Sequence, residues 1–191
     1  MGGIIIKQIG FFFDQTRCTG CYTCSVACKD WYNIDAGPEN WMRVIPIEEG
    51  EFPNLSLSYL ATACNHCADP PCVKVCPVNA ISKREIDGIV VVDEKLCLGK
   101  TECGAKCLKS CPWKAPQFSV EINSKMRKCN LCLERLEQGK QTICVEACPM
   151  YALDVGEIEK LRLSYGNNVN AIGFSYNNKI KPSIIFKTRS K

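Results

Sequence analysis

The sequence predicts an α+β fold of two small double βαβ units, one inserted within the other, followed by a C-terminal tail. Three observations predict it. The 16 cysteines in 191 residues fall into four groups of four. A short apolar run closed by Asp precedes two of those groups: Phe11-Phe12-Phe13-Asp14 before Cys18, and Val90-Val91-Val92-Asp93 before Cys97. Such β-branched or aromatic runs read as strands. A Cys-Pro pair ends three of the groups, and the stretch from Cys148-Pro149 to Leu153 repeats that from Cys76-Pro77 to Ile81.

The groups are complete quartets. Cys18, Cys21, Cys24 and Cys28 are spaced C-x2-C-x2-C-x3-C. Cys64, Cys67, Cys72 and Cys76 follow as C-x2-C-x4-C-x3-C, with Pro77 after them. Cys97, Cys103, Cys107 and Cys111 are spaced C-x5-C-x3-C-x3-C and end at Pro112; Cys129, Cys132, Cys144 and Cys148 have a long middle spacer and end at Pro149. Three thiolates on a tight loop reach three corners of an iron–sulfur cube, and a fourth cysteine before Pro comes from elsewhere, which is the ferredoxin signature. The cofactor expectation is therefore four [4Fe–4S] clusters, and the units read as ferredoxin-like. Disulfides suit shorter secreted chains. The segment from Met1 to Phe13 has one Lys and no Arg, so no secretory signal is expected. Zinc sites favour two close pairs across a longer spacer.

Composition narrows the rest. Hydrophobic residues make up 46% and charged residues 23%, as in a globular chain. A net charge of +4 without a basic block argues against nucleic acid. No apolar stretch approaches the roughly 18 residues of a membrane span. Gly2-Gly3-Ile4-Ile5-Ile6 and Ile89-Val90-Val91-Val92 read as strands, so any membrane attachment is expected to come from a partner.

The flanks pair the quartets. Between the second and third, Cys76-Pro77 is expected to open a short helix, then a hairpin turns at Asp87-Gly88 and a strand runs over Ile89–Val92 into Cys97. Quartets two and three then form one unit, 53–118. Quartets one and four form the other, 1–52 with 119–155, and the strand after Leu153 is expected to pair with that at Phe11. In two-cluster ferredoxins the fourth cysteine of each run ligates the other cluster. By that behaviour cluster 1 takes Cys18, Cys21, Cys24 and Cys148; cluster 2 takes Cys64, Cys67, Cys72 and Cys111; cluster 3 takes Cys97, Cys103, Cys107 and Cys76; and cluster 4 takes Cys129, Cys132, Cys144 and Cys28. Residues 156–191 read as a docking tail, with Ile184-Ile185-Phe186 strapped onto a partner.

The chain resembles the four-cluster electron-transfer subunits of molybdopterin oxidoreductases, of the dimethyl sulfoxide and polysulfide reductase type. The resemblance covers residues 9 to 155. It rests on Cys18-Thr19-Gly20-Cys21 with Ala27-Cys28-Lys29, on Cys64-Asn65-His66-Cys67-Ala68-Asp69-Pro70-Pro71-Cys72, on Lys128-Cys129-Asn130-Leu131-Cys132 with Arg135 and Gly139, and on Cys144-Val145-Glu146-Ala147-Cys148-Pro149. It implies a non-catalytic wire between a large molybdopterin or tungstopterin catalytic subunit and a second redox partner: a membrane quinone-reactive subunit, a flavoprotein or another iron–sulfur protein. It also implies that cluster 1 lies nearest the pterin. Maturation is expected in the cytoplasm, followed by residence there or export with a twin-arginine partner. The third quartet departs from the family spacing, with Lys100, Thr101, Glu102 and Lys106 in widened loops, and the membrane helix of some relatives is missing from the tail.

Rival readings are a diffusing polyferredoxin, a bridging subunit of a hydrogenase or tungsten aldehyde oxidoreductase complex, and a zinc-bearing scaffold. No catalytic motif stands out. His66, the single histidine, reads as a loop residue that hydrogen-bonds, because the cysteine set is already complete. Trp31, Trp41 and Trp113 read as packing residues. Lys29, Lys100, Lys106, Lys109, Lys114, Lys125, Arg127 and Lys128 stand near cysteines, where a positive charge favours the reduced cluster or merely faces solvent.

Overall fold

The computed structural model describes residues 7–188, so the strand expected at Gly2-Gly3-Ile4-Ile5-Ile6 lies outside the described residues. Three small sheets and six helices make a mixed α/β fold among those residues. β1 (Ile9–Asp14) is the central strand of the first sheet. It pairs antiparallel with β6 (Leu153–Glu157) and parallel with β7 (Ile184–Lys187). A strand covered on both faces reads as an unbroken apolar run, and this accounts for Phe11-Phe12-Phe13. Phe11 and Phe13 face the main core with Leu153, Val155, Ile184 and Phe186. Phe12 and Ile185 face the other way, against Ile158 and Leu161 of α6 (Ile158–Tyr165).

This sheet corrects the reading of the tail. Ile184, Ile185 and Phe186 are buried in the chain's own fold, Ile185 at 0% exposure, and Phe186 packs on Phe13 and Phe174. The apolar run is an edge strand of the chain's own sheet with both faces covered.

A second sheet is the hairpin of β2 (Arg43–Glu49) and β3 (Ser56–Thr62), paired from Arg43↔Thr62 to Glu49↔Ser56. It spans the boundary expected between residues 52 and 53, which falls in the turn of this one hairpin. The third sheet pairs β4 (Ile81–Lys83) with β5 (Val90–Val92). Its turn depends on Gly88: φ is +68°, and a Cβ there would stand 2.3 Å from the Gln8 side-chain oxygen.

The helices carry cysteines. α1 (Thr23–Trp31) holds Cys24 and Cys28, α2 (Pro71–Lys74) Cys72, α3 (Lys106–Ser110) Cys107 and α5 (Ile143–Glu146) Cys144; α4 (Leu133–Leu136) follows Cys132. α1 packs on α5, and α2 on α3. The helix expected after Cys76-Pro77 instead precedes it, as α2. Beyond Pro77 the chain makes a turn, because Asn79 takes a left-handed conformation (φ 52°) that no helix propagates. A satellite core of Ala80, Ile81, Val90, Phe118 and Met126 gathers around Cys72, Cys97 and Cys107.

Candidate metal centres

All sixteen cysteines are free thiols. Twelve of them line three cavities. One cavity is lined by Cys18, Cys21, Cys24 and Cys148, with Phe13, Val44 and Leu153 behind them. A second is lined by Cys64, Cys67, Cys72 and Cys111, together with Asn65 and Lys128. A third is lined by Cys76, Cys97, Cys103 and Cys107 with Ile81, Phe118 and Met126. The remaining four thiols also meet: Cys28 lies within electrostatic reach of Cys144 and Cys132, and Cys129 of Cys28 and Cys144. Among the described residues, no three His, Cys, Asp or Glu side chains converge as a single metal ion requires.

The local backbone explains how one quartet serves two cavities. The third and fourth cysteines are four residues apart, about one helical turn. The third sits on a short helix and faces its own loop's cavity. The fourth lies at or beyond the end of α2, α3 or α5, where Pro interrupts the helix. Each of these Cys-Pro pairs is followed by a left-handed residue and then Ala: Asn79 and Ala80, Lys114 and Ala115, Tyr151 and Ala152. The Ala N–H then donates to the cysteine sulfur, at 3.2 Å for Cys76, 3.4 Å for Cys111 and 3.3 Å for Cys148. Leu131 N–H likewise donates to Cys129 Sγ at 3.4 Å, and Ile143 N–H to Cys132 Sγ at 3.5 Å. The Cys-Pro-x-x-Ala repeat is the sequence signal for these donors, and a reading that stops at Pro misses it.

The electrostatics suit a cationic, sulfur-binding group. Burial, and then the neighbouring cysteines, pushes the Cys24 and Cys28 thiols up to about 12. Burial alone heads the causes that bring Cys72 and Cys144 to about 12 and Cys107 to about 11. Cys28, Cys129, Cys132 and Cys144, all pushed up by burial first, resist becoming thiolates together, whereas exposed Cys21, whose sulfur accepts from Thr23, is lowered. Iron supplies the compensating positive charge, and backbone N–H groups already point at the sulfurs. The donor set therefore fits [4Fe–4S] clusters, whose potentials depend on burial, net charge and such hydrogen bonds.

The other residues singled out in the sequence separate clearly. His66 is wholly buried, and its Nδ1 accepts from Val90 N–H at 3.0 Å, which fixes β5 beside the Cys64 loop. Burial, then Lys128 and Lys83, holds it well below the usual histidine range, so the ring is neutral. Trp41 is buried and donates to Glu39 at 2.8 Å; Trp113 stacks on Phe174 at 5.3 Å; Trp31 donates to Glu134 at 2.9 Å. Lys100, Lys106, Lys109, Lys114 and Lys125 are exposed, Lys29 and Arg127 half-buried, and Lys128 is buried. The widened third loop packs on the segment after Phe118: Lys100 N–H donates to Ser124 O at 3.0 Å and Thr101 Oγ1 to Ile122 O at 2.6 Å.

Comparison with known proteins agrees with this chemistry. The 4Fe-4S dicluster domain family matches residues 55–158. The probable anaerobic dimethyl sulfoxide reductase chain YnfG of Escherichia coli K12 is 43% identical, covering 94% of this chain and 88% of its own. A chain of the anaerobic dimethyl sulfoxide reductase of Haemophilus influenzae is 38% identical, covering 95% and 90%. A subunit of the sulfite dehydrogenase of Allochromatium vinosum is 32% identical, covering 80% and 70%. The protein belongs to the 4Fe-4S dicluster family: it is an iron–sulfur electron-transfer chain with four [4Fe–4S] clusters, not a catalytic one.

Proposed function

We propose that this chain is the wire of a molybdopterin or tungstopterin oxidoreductase, carrying electrons between the pterin subunit and a second redox partner. The observation that carries the wiring is the cavity lining. Three cavities each join the first three cysteines of one quartet to the fourth cysteine of another: Cys148, Cys111 and Cys76. This supports the crossed ligand sets, with Cys28 completing the set of Cys129, Cys132 and Cys144. It also supports two nested ferredoxin-like units, one built on α1, α5, β1 and β6, the other on α2, α3, β4 and β5. The clusters, when bound, exchange single electrons. The chain's part is to bury them, direct N–H groups at their sulfurs and keep water away.

The relatives are chains of reductases and dehydrogenases, and that supports a pterin-containing partner. Polarity has local support. Cys21 is exposed, and Tyr22, Val26, Met150 and Tyr151 around it are exposed apolar side chains suited to a protein interface. This end is assigned to the pterin subunit. Leu96, Val120 and Ile122 are exposed beside the widened third quartet and suit the second partner. Among the described residues no helix is long and apolar enough to cross a membrane, so membrane attachment, where it occurs, is assigned to that partner.

Anaerobic analysis should find about sixteen iron and sixteen sulfide per chain, four of each per cubane. About eight iron, or stoichiometric zinc, rules the four-cluster wire out. Copurification at fixed stoichiometry with a pterin-containing large subunit tests the partner, and a chain that purifies alone with all four clusters favours a diffusing carrier.

A further inference from the structure

The cavity of Cys64, Cys67, Cys72 and Cys111 differs from the others in charge. Lys128 lines it and is only 3% exposed. Its Nζ donates to the carbonyls of Val90 and Cys129, and none of the ion pairs among the described residues includes it. A buried charge bonded only to neutral oxygens is costly unless an opposite charge lies nearby. Two further cations adjoin the same cysteines. Lys83 Nζ donates to Cys67 O at 3.0 Å and to Gly88 O at 2.8 Å. Arg43 donates to Trp113 O at 2.8 Å and lies within electrostatic reach of Cys111 and Cys64. Neither of these two has a carboxylate partner among the ion pairs of the described residues.

Asn65 is an independent sign that a polar group belongs in this cavity. It is 2% exposed, lines the void, and neither atom of its amide has a hydrogen-bond partner among the described residues. The other two cavities contrast with this one. That of Cys18 has no charged lining residue, and that of Cys97 has Lys106 alone, which is exposed.

We infer that Lys128 is the tuning residue of the cluster held by Cys64, Cys67, Cys72 and Cys111: its buried charge stabilises the reduced state and raises that cluster's potential. The inference rests on the ligand sets proposed above. Reduction adds one negative charge to the cluster. In a dry site that charge is attracted to an ammonium that no carboxylate offsets. Lys128 also joins β5 to the Cys129 loop, so the charge stands where two cysteine quartets meet. Exposed lysines near the other quartets are screened and act far less.

The test is an anaerobic, EPR-monitored redox titration of the full four-cluster chain. Coulomb's law at an effective dielectric of about 20 gives at least a tenfold shift for any separation up to about 12 Å. Lys128→Met should therefore lower the component of the Cys64, Cys67, Cys72 and Cys111 cluster by at least tenfold in its reduction equilibrium, about 59 mV, and by more than any other component. Lys128→Arg should keep it within about twofold. The most affected component must be the one that Cys72→Ser abolishes. Cys72 belongs to this cluster whether or not the quartets cross, so Cys111→Ser tests the crossing separately: its loss of a different component would refute the ligand set and leave the Lys128 result standing. No shift in Lys128→Met, or a larger shift in the component that Cys129→Ser abolishes, overturns the inference. Lys128→Gln, which keeps a donor for both carbonyls, substitutes where Lys128→Met loses iron. Loss of that one cluster in both neutral variants but not in Lys128→Arg supports the inference, and loss in Lys128→Arg as well overturns it.

Discussion

Replacing Phe186 with Ala decides whether the C-terminal apolar run serves the chain or a partner. Phe186 is 1% exposed, stands edge-on to Phe13 at 6.5 Å and lies 4.8 Å from Phe174. Truncating a buried Phe costs about 3–5 kcal/mol, and the aromatic contacts fall within that range. The loss should be largest at one cluster. β7 is parallel to β1, and β1 runs into the Cys18 loop, while β6 on its other side follows Cys148-Pro149. A loosened sheet frees both ends of the cavity of Cys18, Cys21, Cys24 and Cys148. The assay is anaerobic guanidinium unfolding of the isolated holo chain, followed by far-ultraviolet ellipticity and by iron release at sub-denaturing concentrations. The expected result is a stability lowered by about 3 kcal/mol or more, with one cluster released first. A loss under about 1 kcal/mol in the free chain, well below the cost of truncating a buried Phe, together with lost copurification of a large subunit, would refute the reasoning and restore the strap.

Gly20→Ala should release about four of sixteen iron, those of one cubane, because Gly20 has φ +70° and a Cβ would stand 2.3 Å from the Tyr59 ring; full iron content in this variant counts against the Cys18 loop as a cluster site. Cluster assembly should release protons, because burial first, and then in most cases neighbouring cysteines, keeps Cys24, Cys28, Cys72 and Cys144 protonated up to about 12 in the cluster-free chain. The sign follows: lowering pH favours thiol over thiolate and opposes the cluster, so iron release to a chelator should speed up from about pH 8 to about pH 6, and a rate independent of pH would contradict it. Cys76→Ser should perturb the cluster that Cys107→Ser perturbs and spare the one that Cys72→Ser perturbs; the opposite pattern means that each quartet closes on its own cluster.

The chemistry is more legible in the sequence than the fold. Quartet membership is a matter of spacing, because the reach of a thiolate from a tight loop is short. The pairing of β1 with β6 is also within reach, since Phe11-Phe12-Phe13 and Leu153 lie at matching distances from Cys18 and Cys148. The β2–β3 hairpin is not. Its strand from Arg43 to Glu49 has Pro46 inside it and charges at its end, so it lacks a clean period of two. Ile184-Ile185-Phe186 is visible as an apolar run, but its place is not: a short apolar run looks the same whether it fills an internal sheet edge or an external groove. Lys128 is one of eight basic residues near cysteines, and only its burial separates it from the exposed ones. Burial of a lysine has no local sequence signature.

The absence of Pro after Cys28 also has a physical reason. At the other three fourth-position cysteines, Pro ends the helix and the following Ala N–H turns back onto the sulfur. A Pro at position 29 would sit inside α1, which continues to Trp31 and would be broken there. That added length has a use. Trp31 donates to Glu134 at 2.9 Å, and the Tyr32 hydroxyl lies 3.0 Å from the same carboxylate and 2.7 Å from Asn130. The end of α1 is thereby joined to α4, which follows Cys132, and Arg135 of α4 stacks over Trp31 at 4.6 Å. The long middle spacer of the fourth quartet, from Cys132 to Cys144, leaves that loop the least constrained by its own cysteines. The spacer is held from within by Arg135, which donates to Gln141 O at 2.8 Å and pairs with Glu146, and the unbroken helix after Cys28 adds an anchor from the first quartet. The missing Pro thus lets α1 run on to reach the loop that the stretched spacer forms.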